Sequence, residues 1–567
     1  MALHRAAGAW YEERGLADDA LRHAVAAGDP DWAARLIERY FEAIFLLGHG
    51  ATIQRWLAAL PAELVRSRPR LGLVQMWLAV LGGHMEAAGI ALDAAERASA
   101  DAAEEPFEPS VGRAASLLAN IPAAIAVGRA WLAVQRGDAE GSAAFASQAR
   151  SKLGDGEWML SSVCRVELAL ADYLGGRLGD AERGFTSTVA ALRAAGERGP
   201  AIAACNILGH VQLAQGRLGA ALGTCQMALE IAASPSQPAF AAAGAAFVGR
   251  AEVEYQRGQL DAALRDVAEG IARLRSASTT QPLAAGLATL AWIRQATGDA
   301  AGALDAIGAA EQVAPSPAMA GLISPVRAQR ARLLLAQGDA AAAARWANER
   351  GLGEDDEPGY PQEQEYLVLA RVLLAQDRPG PALALLERLL APAGTQGRTG
   401  SVIEIRALQA LALAASGDEP GAMAALAEAL TLACPQGYVR VFADEGPPMG
   451  ALLGRLAAAQ RAEQALARGV PLGCLARLVQ ASGGTPAAAG SGRRAASAVP
   501  GLVEQLTSRE LEVLAMLSAG TPNQAIAGEL FVTVSTVKKH VSHVLAKLGA
   551  ANRTQAVAQA RELGLIP

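Results

Sequence analysis

The chain has 567 residues and a formal net charge of −6, from 50 Lys and Arg against 56 Asp and Glu. This length exceeds the roughly 100–200 residues of a typical domain, so we expect more than one folding unit. Apolar residues make up 52% and aromatic residues 4%, which favours closely packed helices over sheets. The acidic balance excludes a uniformly basic nucleic-acid coat, and the apolar content excludes a charged, disordered chain.

The cysteines and the apolar runs indicate in which cellular compartment the protein is found. The chain contains five cysteines: Cys164, Cys205, Cys225, Cys434 and Cys474. Their wide spacing predicts neither a disulfide framework nor a zinc knuckle, so we expect buried free thiols in a reducing cytoplasm. The apolar runs are shorter than the ~20 residues of a membrane-spanning helix, and charges at Arg5 and Glu12 argue against a signal peptide. The sequence thus predicts a cytoplasmic protein with no membrane contact.

Residues 1–100 are predicted to form helical hairpins that precede a repeat array. Gly15 and the Gly28-Asp-Pro sequence have the residue types of turns, and the run Asp31–Leu47 carries an apolar helical stripe. Gly83, followed five residues later by Ala88, is a weak copy of the repeat pattern that follows.

A repeat of about 40 residues extends over residues 101–446, and its period predicts a solenoid. Each copy has an apolar run, a turn, and a small residue five positions after the turn begins. The turns begin at Gly137, Gly176, Gly216, Gly258, Gly298, Gly338, Asp377 and Gly417, and the small residues are Ser142, Ala181, Ala221, Ala263, Ala303, Ala343, Ala382 and Ala422. Glycine accepts the positive φ that ends a helix, and alanine lets helices approach closely. Because one hairpin cannot bury its apolar face alone, we expect the hairpins to stack. The repeats resemble tetratricopeptide (TPR) repeats.

Three segments follow the array. Residues 447–480 are predicted to be a terminal helical segment. Residues 481–500 are mainly Gly, Ala, Ser and Pro without apolar periodicity, which indicates a flexible linker. Residues 501–567 form a compact module, and the whole chain is predicted to be all-α.

The terminal module concentrates positive charge. It has six Lys and Arg and five Asp and Glu, a net of 6 − 5 = +1, whereas the rest of the chain has 44 − 51 = −7. Three of the four lysines in the chain, Lys538, Lys539 and Lys547, lie within ten residues of one another. No acidic residue occurs from Thr533 to Arg553. The module therefore presents a local positive face on an acidic protein.

Capping signals divide the module into four helices. The predicted starts are a capping box at Thr507-Ser-Arg-Glu510, Thr521 with Pro522 at the first helical position, Thr533, and Asn552-Arg-Thr-Gln555, with the fourth helix ending near Leu563. The third helix carries an apolar stripe of Val537, Val541, Val544, Leu545 and Leu548. Its polar residues off that stripe are Ser535, Lys538, Lys539, Ser542 and Lys547. A short helix, a tight turn and a helix with a cationic outer face form a helix-turn-helix, whose second helix fits the major groove of double-stranded DNA.

The module resembles the LuxR-type helix-turn-helix domain of bacterial transcription regulators. The resemblance rests on Leu506-Thr-Ser-Arg-Glu510-Leu-Glu-Val-Leu514, Ser535-Thr-Val-Lys538-Lys-His540, Lys547-Leu-Gly549 and Asn552-Arg-Thr554. It implies that Asn523–Ser542 is the helix-turn-helix proper. It further implies base or phosphate contacts from Lys538, Lys539 and Ser542, and backbone contacts from Thr536 and Lys547. Ser535 and His543, on the same helix, complete the candidate DNA-binding set. The resemblance also implies a homodimer or larger assembly on DNA, with a seam of Ala556, Val557, Ala560 and Leu563 on the fourth helix.

The preceding residues resemble the large ATP-binding LuxR regulators of the MalT-like group. The resemblance rests on Ala9-Trp-Tyr-Glu, Asp19-Ala-Leu-Arg-His23-Ala, Trp56-Leu-Ala-Ala-Leu60-Pro and Gly437-Tyr-Val-Arg440-Val-Phe. It implies that this chain begins at the helices that follow the ATPase module of that group, and that its repeats sense an inducer. A phosphate-binding loop needs a Gly-Lys pair, and this chain has none. We therefore expect no enzyme activity, no cofactor and no metal.

Two functions remain open from the sequence. The first is a transcriptional regulator, with activation favoured, that binds double-stranded DNA and RNA polymerase and receives a small-molecule inducer or a protein partner on its repeats. The second is a TPR-like interaction scaffold whose terminal module has lost useful DNA affinity. The lysine-bearing third helix, which a scaffold does not need, favours the regulator.

Overall fold

A computed structural model shows an all-α chain, as predicted, with no strand among the residues that it describes. The described residues are 1–45, 49–101, 107–112, 116–154, 156–233, 242–275, 280–314, 325–461, 470–482, 508–518, 521–529, 534–548, 550 and 552–562. The chain divides into two compact units, an N-terminal unit (Met1–Ala487) and a C-terminal unit (Ala488–Pro567). Among the described helices, none combines the length and the apolar character that crossing a membrane would require.

The N-terminal unit begins with short helices joined by tight turns. They are Ala2–Glu13, Ala17–Ala26, Pro30–Phe45, Gly50–Ala58, Ala62–Ser67, Pro69–Leu81 and Met85–Asp101. Gly15, Gly28 and Gly83 adopt φ values of 71°, 67° and 73°, which confirms them as turn residues. Phe41 and Leu71 share one apolar core with Val127 of the first repeat hairpin, so these helices continue the array without a break.

Eight helical hairpins follow and form the repeat array. In chain order they are hairpin 1 (Ile121–Gln135, Ala139–Ser151), hairpin 2 (Trp158–Leu174, Leu178–Ala194), hairpin 3 (Arg198–Ala214, Leu218–Ala232), hairpin 4 (Ala242–Gln256, Leu260–Arg275), hairpin 5 (Thr280–Ala296, Ala300–Val313), hairpin 6 (Val326–Ala336, Ala340–Glu349), hairpin 7 (Glu363–Ala375, Pro379–Thr395) and hairpin 8 (Thr399–Ala415, Glu419–Ala433). Neighbouring hairpins share apolar clusters, as a stacked solenoid requires.

The repeat turns have the backbone geometry that the sequence predicts. All seven turn glycines adopt φ between 73° and 89°, and Asp377 adopts φ 57° in the turn that lacks glycine. In this left-handed region the backbone conformation of an aspartate costs about 1 kcal/mol more free energy than that of a glycine. The packing of hairpin 7 against its neighbours must offset this cost. The residue five positions on is fully buried in all eight hairpins, with 0% exposure. Small side chains at these positions therefore set the distance between the two helices of each hairpin.

An aspartate after the turn residue caps the second helix of four hairpins, a role that the repeat pattern alone did not reveal. Asp138, Asp299, Asp339 and Asp418 each accept a hydrogen bond from the backbone N–H three residues later, at 2.8–3.0 Å. Because the first N–H groups of a helix lack partners within the helix, this cap stabilises each hairpin by about 1 kcal/mol.

The end of the N-terminal unit folds back onto a much earlier repeat. The segment consists of a 3-10 turn, Cys434–Gln436, and the helices Arg440–Ala443, Gly446–Arg461 and Leu472–Ala481. The Val439 N–H donates to the Gln256 carbonyl oxygen at 2.7 Å, and Leu453 and Leu475 share a core with Leu218 of hairpin 3. The solenoid therefore curves far enough for its last segment to contact hairpins 3 and 4.

The cysteine prediction is wrong at one pair. Cys434 and Cys474 form a disulfide, whereas Cys164, Cys205 and Cys225 are buried free thiols as expected. The two partners are 40 residues apart in sequence, but the fold-back brings their Cα atoms to 6.0 Å. Sequence spacing could not reveal this pair, because the proximity depends on packing between separate helices.

Candidate nucleic-acid interface

The C-terminal unit contains the four helices that the capping signals predict. They are Ser508–Ser518, Asn523–Glu529, Val534–Leu548 and Arg553–Glu562. The second begins one residue later than predicted, because the Pro522 carbonyl accepts from the Ile526 N–H and Pro522 thus precedes the helix. Asn552 caps the fourth helix by accepting from the Gln555 N–H at 3.0 Å. The predicted caps Thr507 and Thr533 lie outside the described residues.

The apolar stripe of the third helix packs inward as predicted. Val537 packs with Val513 and Ile526, while Val544 and Leu548 pack with Leu514 of the first helix. Val541 and Leu545 are partly buried against the same clusters. Because one side of the third helix is held by the other three helices, its opposite side has a fixed orientation.

That opposite side, which we call the outer face, carries most of the candidate DNA-binding residues. Ser535, Lys538, Lys539, Ser542 and His543 are exposed, and Thr536 is half-buried. The Ser542 hydroxyl donates to the Lys538 carbonyl oxygen at 3.0 Å, one turn earlier. The hydroxyl proton is thus engaged, and the Ser542 oxygen can still accept a bond from an amino group on a base edge.

Lys547, for which the resemblance implies a contact with the DNA backbone, occupies a different environment from Lys538 and Lys539. Its Nζ donates to Oε2 of Glu510 at 2.9 Å, and the two side chains are only 15% and 5% exposed. His543 Nδ1 lies 3.8 Å from the other Glu510 oxygen. The resemblance placed Lys547 correctly on the third helix, but its ammonium bonds a buried carboxylate of the first helix.

The residues of the predicted dimer seam occupy different environments, and the seam stays a prediction. Ala556 and Ala560 have 0% exposure and pack against Leu514 and Val544 inside the unit's own core, so a partner subunit cannot reach them. Val557 is partly buried against the same core, and Leu563 lies outside the described residues. Ala556 and Ala560 are four residues apart and thus lie on one side of the fourth helix, which here packs into the core of the unit.

Arg553 is a structural residue whose role the sequence did not reveal. Its Nη2 donates to the Thr521 carbonyl oxygen at 2.6 Å and to the Leu517 carbonyl oxygen at 3.4 Å. These carbonyls end the first helix and begin the turn to the second. Arg553 therefore fixes the start of the helix-turn-helix from the fourth helix.

The described residues contain no group of three or more His, Cys, Asp or Glu side chains arranged to hold a metal. The pair His540 and His543 occurs among lysines, and Glu510 lies 3.8 Å from His543 Nδ1. The outer face therefore presents two ammonium groups, several hydroxyls and the imidazole of His543.

These features define a class: an α-repeat protein with a C-terminal helix-turn-helix module. Residues 504–560 match the family described as bacterial regulatory proteins, luxR family, and residues 123–459 match the MalT-like TPR region. The second match covers more than half of the 567 residues. The chain belongs to the family with a MalT-like TPR region, and its C-terminal unit carries the match to the luxR family.

Individual relatives agree with both matches. The chain is 26% identical over 572 aligned residues to the HTH-type transcriptional regulator MalT of Yersinia enterocolitica, covering 99% of this chain and 61% of that protein. It thus spans about three fifths of the length of that relative. The transcriptional regulatory protein LiaR of Bacillus subtilis is 44% identical over 63 residues, 11% of this chain and 30% of LiaR. Among solved structures, a Rap protein complexed with Competence and Sporulation Factor covers 65% of this chain and 98% of its own, with TM-score 0.47 and 9% identity.

Proposed function

We propose that this protein regulates transcription by binding double-stranded DNA with the helix Val534–Leu548, while its repeats receive the regulatory signal. The observation that carries the proposal is the division of that helix into a buried apolar side and an exposed outer face with Lys538 and Lys539. A helix held in this way can enter the major groove without losing its packing.

The composition of the outer face supports DNA as the partner. Phosphate contacts need cations, and base recognition needs donors and acceptors near the N-terminal half of the recognition helix. Ser535, Lys538 and Lys539 lie in that half and are exposed. We infer that Lys538 and Lys539 contact phosphates or base edges, that Ser542 and His543 extend the contact, and that Thr536, which is half-buried, approaches the backbone.

The proposal includes three further elements. Paired binding on DNA needs a contact other than Ala556 and Ala560, because both lie in the core of the unit. RNA polymerase is the natural partner of an activator, and activation is the direction that we propose. We place its action in the cytoplasm, where bacterial DNA lies, and we assign it no catalytic step.

The test uses the full chain and a pool of random duplex DNA. Selection should enrich a sequence, and binding to it should weaken steeply with salt, by a slope near −0.9 per phosphate contact. Lys539→Glu should abolish binding and leave the helical circular dichroism unchanged. The matched control is Lys152→Glu, which reverses the exposed lysine that lies in the N-terminal unit. It should leave binding intact.

A folded protein with no salt-dependent DNA binding, and with Lys539→Glu identical to the wild type, would contradict the proposal. The protein would then be a repeat scaffold with a degenerate module. If Lys152→Glu weakened binding as much as Lys539→Glu, general charge rather than the outer face would be responsible.

A further inference from the structure

The N-terminal unit contains a central cavity of about 240 Å³ that is partly open to solvent and is lined mainly by the first helices of hairpins 2 to 8 and by the fold-back segment. A water molecule needs about 10–15 Å³ of such space, so a small organic molecule fits. The residues that matter for its chemistry are Tyr173, His210, Glu252, Trp292, Glu404 and Tyr438. We refer to this space as the central cavity.

Three of the four acids that line the central cavity in the described part of the chain are paired with arginines. Glu363 pairs with Arg398, Asp444 pairs with Arg440, and Glu404 pairs with Arg371 at 2.8 Å. Removing a charge from water is costly unless a partner compensates it, and each of these arginines supplies that compensation.

Glu252 is the fourth acid, and none of the described Lys or Arg side chains forms an ion pair with it, since Arg332, which also lines the cavity, pairs with Glu445 at 3.1 Å. The nearest basic group is His210, whose Nδ1 lies 3.9 Å from a Glu252 oxygen. Burial lowers the pKa of His210 to about 4, so this imidazole is neutral at physiological pH. Burial also raises the pKa of Glu252 to about 7. The side chain keeps 35% of its surface accessible because it faces the cavity.

Aromatic residues line the central cavity together with Glu252. Burial raises the pKa of Tyr173 to about 12, and the nearby charge of Glu252 contributes to the rise. Burial raises the pKa of Tyr438 as well, again with a contribution from Glu252. Both tyrosines line the same cavity as Glu252. The faces of Tyr360 and Trp292 are covered by Arg398 and Arg332, at 4.6 and 4.8 Å from the ring centres.

We propose that the central cavity binds a small ligand with an organic ammonium group, for which Glu252 is the counterion and Tyr173 and Tyr438 flank the cation. An ammonium group supplies the positive charge that Glu252 lacks, and aromatic rings attract such cations through their electron-rich faces. The proposal deepens the signal-receiving role assigned to the repeats above, and it does not depend on DNA binding.

The experiment measures binding to the full chain without DNA. The probes are choline and 1,4-diaminobutane, each with its uncharged counterpart, 3,3-dimethyl-1-butanol and 1,4-butanediol. Thermal melting and titration calorimetry at pH 8 should show saturable stabilisation by an ammonium compound and none by its counterpart. Glu252→Gln should weaken binding at least about thirtyfold, because it removes one charge of an enclosed pair. Glu254→Gln is the matched control, since Glu254 lies on the same helix but does not line the cavity. It should bind as the wild type does.

A second measurement remains decisive if Glu252→Gln does not fold. At pH 6.5 the wild type should release protons on binding the ammonium compound, because the bound cation favours the ionised carboxyl group. Calorimetry in phosphate and in MES, neither of which is a net cation, would reveal that release as a buffer-dependent enthalpy.

The inference fails if no ammonium probe binds, if the uncharged counterparts bind equally well, or if Glu252→Gln retains full affinity. Loss of DNA binding in Lys539→Glu with no ammonium binding in the wild type would leave the proposed function standing and overturn only this inference. Ammonium binding without DNA binding would do the reverse.

Discussion

Lys547 and Glu510 join the third and first helices of the C-terminal unit through a hydrogen bond of 2.9 Å between Nζ and Oε2. Glu510 is 5% exposed, so its carboxylate depends on protein partners for compensation. The pair connects the first helix to the C-terminal half of the recognition helix, while the exposed lysines lie further toward its start.

Lys547→Met should therefore destabilise the C-terminal unit, because it leaves a buried carboxylate without its cation. The expected cost is on the order of 2–4 kcal/mol. Hydrogen exchange should increase in Ser508–Ser518 and Val534–Leu548, and Glu510→Gln in the same chain should restore part of the protection. Unchanged exchange, together with a DNA-binding salt slope reduced by about one per subunit, would instead identify Lys547 as a phosphate contact.

The solenoid predicts that damage to one hairpin spreads to its neighbours. Ala303 has 0% exposure in a cluster that also contains Val267 of hairpin 4 and Leu333 of hairpin 6. Ala303→Asp should place a charge in that shared core and accelerate hydrogen exchange in all three hairpins. Ala301→Asp, an exposed position on the same helix, is the control. Faster exchange confined to residues 298–310 would argue against a shared core.

The aspartate caps predict that substitutions at a cap reduce stability according to how well the new side chain accepts a hydrogen bond. Asp339 accepts from the Ala342 N–H at 2.9 Å. Asp339→Ala should lower the free energy of unfolding by about 1 kcal/mol. Asp339→Asn should retain most of the stabilisation that the cap contributes, because asparagine caps equally well. Urea denaturation of the three proteins would measure the difference. Equal losses for Ala and Asn would show that the negative charge matters more than the hydrogen bond.

Because the carboxyl group of Glu167 is buried, we expect its removal to stabilise the folded protein by an amount that depends on pH. Burial raises its pKa to about 8, and its Oε2 has no hydrogen-bond partner among the described residues. Between pH 4.5 and 8 the folded state binds a proton that the unfolded state does not, so Glu167 lowers stability progressively as pH rises through that range.

Glu167→Gln should therefore increase the free energy of unfolding at pH 8.5 by on the order of a few kcal/mol and change it little at pH 4.5. The melting temperature should rise at pH 8.5 accordingly. Glu349→Gln, which alters an exposed carboxylate, should have little effect at either pH. A gain of the same size at both pH values would mean that Glu167 is not protonated in the folded protein.

The features that could be predicted from the sequence are those that depend on neighbouring residues. Positive φ at Gly137 or Gly298, a small buried residue five positions later, and the inward stripe from Val537 to Leu548 all follow from local rules. The TPR-like and LuxR-type resemblances added the identity of the two regions, and the family matches confirm both.

The features that could not be predicted join residues far apart in the chain. Cys434 meets Cys474, Lys547 meets Glu510, and Val439 meets Gln256 only after the helices that carry them have packed. A periodic stripe also does not indicate which neighbour will cover it. Ala556 and Ala560 illustrate this, because they have the spacing of a dimer seam and fill the core of their own subunit.

The fold-back at Val439 sets an order of events during synthesis. The two helices of each hairpin are adjacent in the sequence, so a hairpin can form soon after it leaves the ribosome, as low contact order allows. The central cavity, in contrast, needs Tyr438 and Asp444 as part of its wall. Nascent chains that stop within hairpin 8 will therefore have nearly all of their helices and no finished cavity. Competence to bind a ligand will appear as a late step, only after the fold-back segment has emerged and docked.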